Sequence, residues 1–116
     1  MGKEGGTMRR SNQRRLRKAE GAVVVENVNV PGRRTQLNAA KYGAVRRALL
    51  KVVPRRRPGV TQAEMFAAVR EHLAEGLFPG GAKANWWAKT VQLDLEAKGL
   101  LRRSSDGRPL RWHQVK

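Results

Sequence analysis

The chain has 116 residues, with 25 Lys and Arg against nine acids and a net charge of +16, a length that suits one domain of about 90 residues and a tail. Charge of that size repels itself in a compact state and calls for an anionic partner, nucleic acid first and an anionic membrane surface second. The absence of cysteine excludes disulfides and thiolate metal sites, and no apolar run nears the roughly 18 residues of a membrane span, so a soluble cytoplasmic protein with no membrane partner is expected.

Residues 1–21 carry seven positive and two negative side chains, with Leu16 the one sizeable apolar residue after Met8. Nothing there offsets the entropy of ordering, which predicts a disordered basic arm whose Arg14 and Arg15 contact phosphate. Residues 22–37 read as an extended lead-in, because the β-branched run 22–30 ends at Pro31-Gly32, a strand running into a turn. One domain over 38–116 then follows.

The first helix is predicted from Asn38, a good N-cap, to Val53, where Pro54 stops it. Tyr42, Val45, Leu49 and Val52 form one buried stripe, and Arg46 and Arg47 lie off it as phosphate contacts. Arg55-Arg56-Arg57, between Pro54 and Pro58-Gly59, makes a stiff basic connector of the same kind. Thr61-Gln62-Ala63-Glu64 is a capping box that starts the second helix, with Val60 and Met65 as its hydrophobic staple. Met65, Phe66, Val69 and Leu73 face inward, and Gly76 is the expected stop.

After the turn Leu77-Phe78-Pro79-Gly80-Gly81, the third helix is predicted over about 82–98. Trp87, Val91 and Leu95 share one face, and Asn85, Lys89, Gln92 and Glu96 the opposite one. Gly99 fits a left-handed C′ position, with Leu95 and Leu100 as the apolar pair of a Schellman ending. The last stretch reads as a hairpin of residues 100–103, a turn containing Asp106-Gly107, and residues 110–115. Pro109 puts the returning strand at an edge or delays its start.

The order helix, turn, helix, hairpin, with Leu95-Glu96-Ala97-Lys98-Gly99-Leu100-Leu101-Arg102-Arg103 across the last join, resembles winged helix-turn-helix domains over residues 38–115. That resemblance implies a mainly α fold of three helices with a small C-terminal β-hairpin as the wing. More narrowly, Leu77-Phe78-Pro79-Gly80-Gly81-Ala82-Lys83-Ala84-Asn85-Trp86-Trp87, with Val91-Gln92-Leu93-Asp94-Leu95-Glu96 and Leu110-Arg111-Trp112-His113, resembles a family of small bacterial proteins of unknown function, which implies no activity. The winged-helix resemblance makes the third helix a recognition helix with Asn85, Lys89 and Gln92 toward the major groove. Asn and Gln suit adenine, and Lys suits guanine or a phosphate. It also places Arg103 and Arg108 of the wing near the adjacent groove or backbone. Trp86, beside the groove-facing stripe, fits a stacked base, a protein partner, or packing as a lid.

Gly80-Gly81-Ala82-Lys83 fits a plain flexible turn first, and second a helix start that offers backbone N–H groups to a phosphate with Lys83 assisting. It lacks the spacing of a P-loop. Trp87 is expected in the core and Trp112 in a structural role. His72 and His113 have no carboxylate cluster around them in the sequence, so no metal site is expected. Ser104, Ser105, Asp106 and His113 lack a nucleophile elbow, so neither an enzyme nor a cofactor is expected. The expected function is nucleic-acid binding, duplex DNA first, through the recognition helix, the wing and the arm, as in a transcriptional regulator or nucleoid-associated protein. The alternatives are an RNA- or ribosome-associated winged helix, and a protein-interaction module that uses the Trp86 face.

Overall fold

Asn38 starts the first helix as its residue type predicts: its side-chain oxygen accepts the Lys41 N–H at 2.9 Å. The computed structural model describes residues 21–104 and 107–115. The arm with Arg14 and Arg15, and Asp106 at the predicted hairpin tip, lie outside the described residues. In chain order the elements are β1 (Ala22–Glu26), β2 (Arg34–Asn38), α1 (Ala39–Val52), β3 (Val60–Thr61), α2 (Gln62–Arg70), α3 (Ala84–Ala97), β4 (Leu101–Arg103) and β5 (Arg111–Gln114). A 3-10 turn at Pro79–Gly81 precedes α3.

The capping box of α2 is complete. Thr61 Oγ1 accepts the Glu64 N–H at 3.2 Å, and Glu64 Oε1 accepts the Thr61 N–H at 3.0 Å. The helix ends at Arg70 rather than at Gly76. Consecutive turns follow, and in the last of them Leu77 and Phe78 donate to the Ala74 carbonyl. They deliver Phe78 into the core, 6.1 Å edge-to-face from Trp87. The start of α3 is later than predicted, at Ala84, because Gly80, Gly81 and Lys83 all take positive φ (61°, 73° and 58°), which a right-handed helix cannot contain. Its end is the predicted Schellman motif: Gly99 has φ 79°, the Leu100 N–H reaches the Leu95 carbonyl at 2.8 Å, and the Gly99 N–H reaches that of Glu96 at 3.1 Å.

The sequence reading, three helices and one small hairpin, undercounts the β structure. Among the described residues, three helices are joined by two small antiparallel sheets, one of order β1-β2 and one of order β3-β5-β4. Residues 22–37, read as a single extended lead-in, fold back as a hairpin in which Val23 faces Leu37 and Val25 faces Thr35. The second strand is polar and carries no apolar alternation. In Arg34-Thr35-Gln36-Leu37-Asn38 only Leu37 is partly covered, so pairing with β1 rather than an apolar alternation makes it a strand. In the other sheet β3 joins the predicted hairpin through Val60 opposite Trp112. Pro109 delays β5, which begins at Arg111 and lies between β3 and β4.

The core collects Tyr42, Val45 and Leu49 from α1, Met65 and Val69 from α2, and Trp87, Val91 and Leu95 from α3, with Val25, Leu101 and Trp112 from the sheets. Val53, just past the end of α1, is buried more deeply than Val52 of the predicted stripe. Gln114 closes that end by donating to the Leu50 and Val53 carbonyls, each at 2.7 Å. Gly59 is fixed by a close approach. At φ 94°, a Cβ there would lie 1.9 Å from the Trp112 carbonyl oxygen. No helix among the described residues is long and apolar enough to cross a membrane.

Candidate functional site

The third helix is held on two flanks by its own acids. Asp94 is fully buried and accepts the Tyr42 hydroxyl at 2.5 Å and the Glu26 N–H of β1 at 2.8 Å, and Lys98 forms an ion pair with it. Burial first, and then the bond to Asp94, push the Tyr42 phenol well above its ordinary range. The Val28 N–H of the β1–β2 loop adds a bond to the Leu93 carbonyl at 3.3 Å. On the other flank Glu96 accepts Trp112 Nε1–H at 3.0 Å and Gln92 Nε2 at 2.8 Å, and pairs with Arg103 at 3.2 Å. Gln62 of α2 donates to Gln92 at 3.3 Å, and the Arg103 guanidinium lies 5.5 Å over the Trp112 ring.

This double cover corrects the predicted groove-facing stripe. Residues 91–95 are all buried, and Gln92, expected on the exposed face with Asn85 and Lys89, has no exposed surface at all. One apolar stripe in a sequence implies one covered face, but here a hairpin and a sheet cover α3 from two directions. Arg103, expected to reach outward from the wing, is drawn inward by Glu96 and Trp112. The clue was available in Val91-Gln92-Leu93-Asp94-Leu95. Leu93, two residues from both Val91 and Leu95, falls on the opposite side of the helix from their shared face, so such a helix is enclosed from several sides.

What stays exposed on α3 lies in its N-terminal half: Asn85, Trp86 and Lys89, with Lys83 just before the first turn. Trp86 is 52% exposed and meets the buried Trp87 edge-to-face at 5.3 Å. Among the described residues, three recesses converge on it. One of about 310 Å³ lies between the hairpin and α3, with Glu26, Arg33 and Thr90 in its walls. A second, of about 430 Å³, is bounded by Arg70, Lys83 and Asn85, and a third, of about 510 Å³, by Lys41, Lys83 and Trp87. Arg70 donates to the Asn85 amide oxygen at 2.7 Å. That oxygen is thereby committed, and the pair offers N–H donors, a chemistry suited to an anion. The start of α3 has no side-chain cap and no acid in its first turn.

The structure therefore brings together Lys83, Asn85 and Trp86, with Lys89 one turn further along. It adds Lys41, Arg70 and Arg33, none of which the sequence reading had singled out. Arg70 sat in an acidic segment, and Arg33 becomes a neighbour only through the hairpin fold. The other predicted phosphate contacts lie elsewhere. Arg46 is half-buried and close enough to Tyr42 to oppose part of its shift. Arg47 borders a recess with Lys51 and His72. Arg55, Arg56 and Arg108 are exposed. Arg57 and Arg102 flank the buried His113, and burial first, then these two charges, hold its imidazole below the usual range. His113 Nδ1 is buried with no hydrogen-bond partner among the described residues.

Among the described residues no group of three His, Asp or Glu side chains is placed to hold a metal ion. Neither a curated protein nor a solved structure matches the chain. The hairpin, the three helices and the strands up to Trp112 do correspond to one known sequence family: over residues 22–112 the chain matches, and so belongs to, the family of unknown function DUF6958.

Proposed function

We propose that this is a nucleic-acid-binding protein that takes duplex DNA, with a winged-helix arrangement in which α3 is the recognition helix and β4–β5 the wing. The observation that carries the reading is how charge is sorted on α3. Its two acids, Asp94 and Glu96, are turned inward into hydrogen bonds, while Lys83 and Lys89 are exposed beside Asn85 and Trp86. The direct passage from α3 through Gly99 into β4 supports the winged-helix arrangement. Because the hairpin and the sheet cover the C-terminal half of α3, contact falls to Lys83, Asn85 and Lys89 with Arg70. Arg108 of the wing and the Arg55–57 connector add phosphate neutralisation.

Mechanistically, each lysine or arginine that reaches a phosphate releases condensed counterions, so affinity is set by charge and read out through salt. A protein of this kind serves as a transcriptional regulator or a nucleoid-associated protein in the cytoplasm. Fluorescence anisotropy with a mixed-sequence duplex across a salt series tests the reading. Log K should fall linearly against log salt with a slope equivalent to about 5–8 phosphates. Lys83→Ala and Lys89→Ala should each lower that slope by about 1 and leave thermal stability within about 0.5 kcal/mol. A flat salt response would end the nucleic-acid reading, and a stronger response to matched A-form RNA would move it to RNA.

A further inference from the structure

We propose that the Trp86 surface takes an unpaired nucleotide, its base stacked on the indole and its phosphates on the surrounding cations, so that the preferred ligand is DNA with a single-stranded segment beside a duplex. The inference rests on the nucleic-acid reading above and names the substrate class of the same surface.

Three observations carry it. First, Trp86 is 52% exposed in a chain whose Trp87 and Trp112 are both buried. It meets Trp87 at an interplanar angle of 86°. In that perpendicular contact at least one face of the Trp86 ring is not covered by Trp87. Second, an intact duplex has no use for such a face. Its bases are stacked on both sides and show only their edges to a helix in the major groove, whereas an unpaired base offers a π-face that stacks on an aromatic side chain. Third, among the described residues four cations, Lys41, Lys83, Arg70 and Arg33, border the recesses around the indole against one acid, Glu26. An exposed aromatic in surroundings of net positive charge matches a ligand that is flat and anionic at once, which is the chemistry of a nucleotide. The core of a protein interface favours the aromatic but is depleted of lysine, so a protein partner fits this surrounding less well.

The test compares a blunt duplex with the same duplex carrying a short single-stranded overhang, at matched salt, by anisotropy and by indole fluorescence. The overhang duplex should bind at least about fivefold more tightly, the lower end for one stacked base, and should quench part of the fluorescence. Trp86→Ala should abolish both the preference and the ligand-induced quench, and Trp86→Phe should retain a weaker preference. Equal binding of the two duplexes by the wild type, without quenching, would overturn the proposal and leave the nucleic-acid reading standing. An equal loss on both ligands in Trp86→Ala would overturn it too. Absence of salt-dependent binding to either duplex would remove both readings together.

Discussion

Asp94→Ala is the substitution on which the architecture around α3 depends most. The carboxylate is fully buried and accepts the Tyr42 hydroxyl and the Glu26 N–H, at 2.5 Å and 2.8 Å. A hydrogen bond to a charged group contributes about 1.5–3 kcal/mol net, and a buried donor left without an acceptor costs about 1–3 kcal/mol. The substitution removes the first and creates the second at Tyr42, so the loss should be about 3–5 kcal/mol, as for removing one partner of a buried charged pair. Against a total stability of about 5–15 kcal/mol for a domain, that is a large share. Tyr42→Phe keeps the ring in the core and deletes only the donor, so it should cost less, about 1–2 kcal/mol. In the double variant the orphan hydroxyl no longer exists, and the two changes should fall short of additivity by about 1–3 kcal/mol. Equilibrium urea denaturation followed by the fluorescence of the buried Trp87 and Trp112 measures all three. Hydrogen exchange at the Glu26 amide reports separately on release of the β1–β2 hairpin. A loss below about 1 kcal/mol for Asp94→Ala, or additivity within about 0.5 kcal/mol, would refute the role of this carboxylate as a tie between α1, β1 and α3.

Gly59→Ala puts a methyl 1.9 Å from the Trp112 carbonyl oxygen, at a φ of 94°, and should cost more than about 3 kcal/mol in a thermal melt. A near-neutral result would mean that β3 and β5 can separate freely. Gln92→Ala should lower stability by about 1–3 kcal/mol through its lost bonds to Gln62 and Glu96, with no change in sequence preference on DNA. A thermally silent Gln92→Ala would show that its buried bonds contribute nothing. His113 is held neutral in the folded state, with its pKa below the ordinary value. Its contribution is therefore complete above about pH 6.5 and is lost as pH falls below that value toward the depressed one. Melting temperature should drop between about pH 7 and pH 5, and His113→Asn should flatten that drop.

Local chemistry was legible where a residue type dictates a backbone state. Asn38, the Thr61–Glu64 box and Gly99 mark helix ends that depend only on nearest neighbours, and all three act as their residue types require. The burial of Tyr42, Val45 and Leu49 in α1 and of Met65 and Val69 in α2 follows from single apolar stripes, whereas Val53 is buried in place of Val52. The β2 strand was not legible, since Arg34, Thr35 and Gln36 are exposed and carry no apolar signal. Gln92 was misplaced for a related reason. Periodicity identifies the covered face of a helix lying against one layer, whereas α3 has a sheet on one flank and a hairpin on the other. The surroundings of Trp86 were legible only in part. Lys83 and Asn85 are near in sequence, but Arg33 and Arg70 arrive through tertiary structure.

The fixing of α3 at Asp94 and Glu96 has a thermodynamic corollary for whatever settles on Trp86. The helix backbone is immobilised by bonds formed within the fold, so its conformational entropy is already lost before a ligand arrives. Association then orders only a few exposed side chains, such as Lys83 and Lys89. The contribution of this surface to the heat-capacity change should scale with the apolar area covered at the indole, with no added part from folding of α3 itself. A surface prepared in this way selects among ligands by fit to a fixed shape, since it has little capacity to remould itself around a poor one.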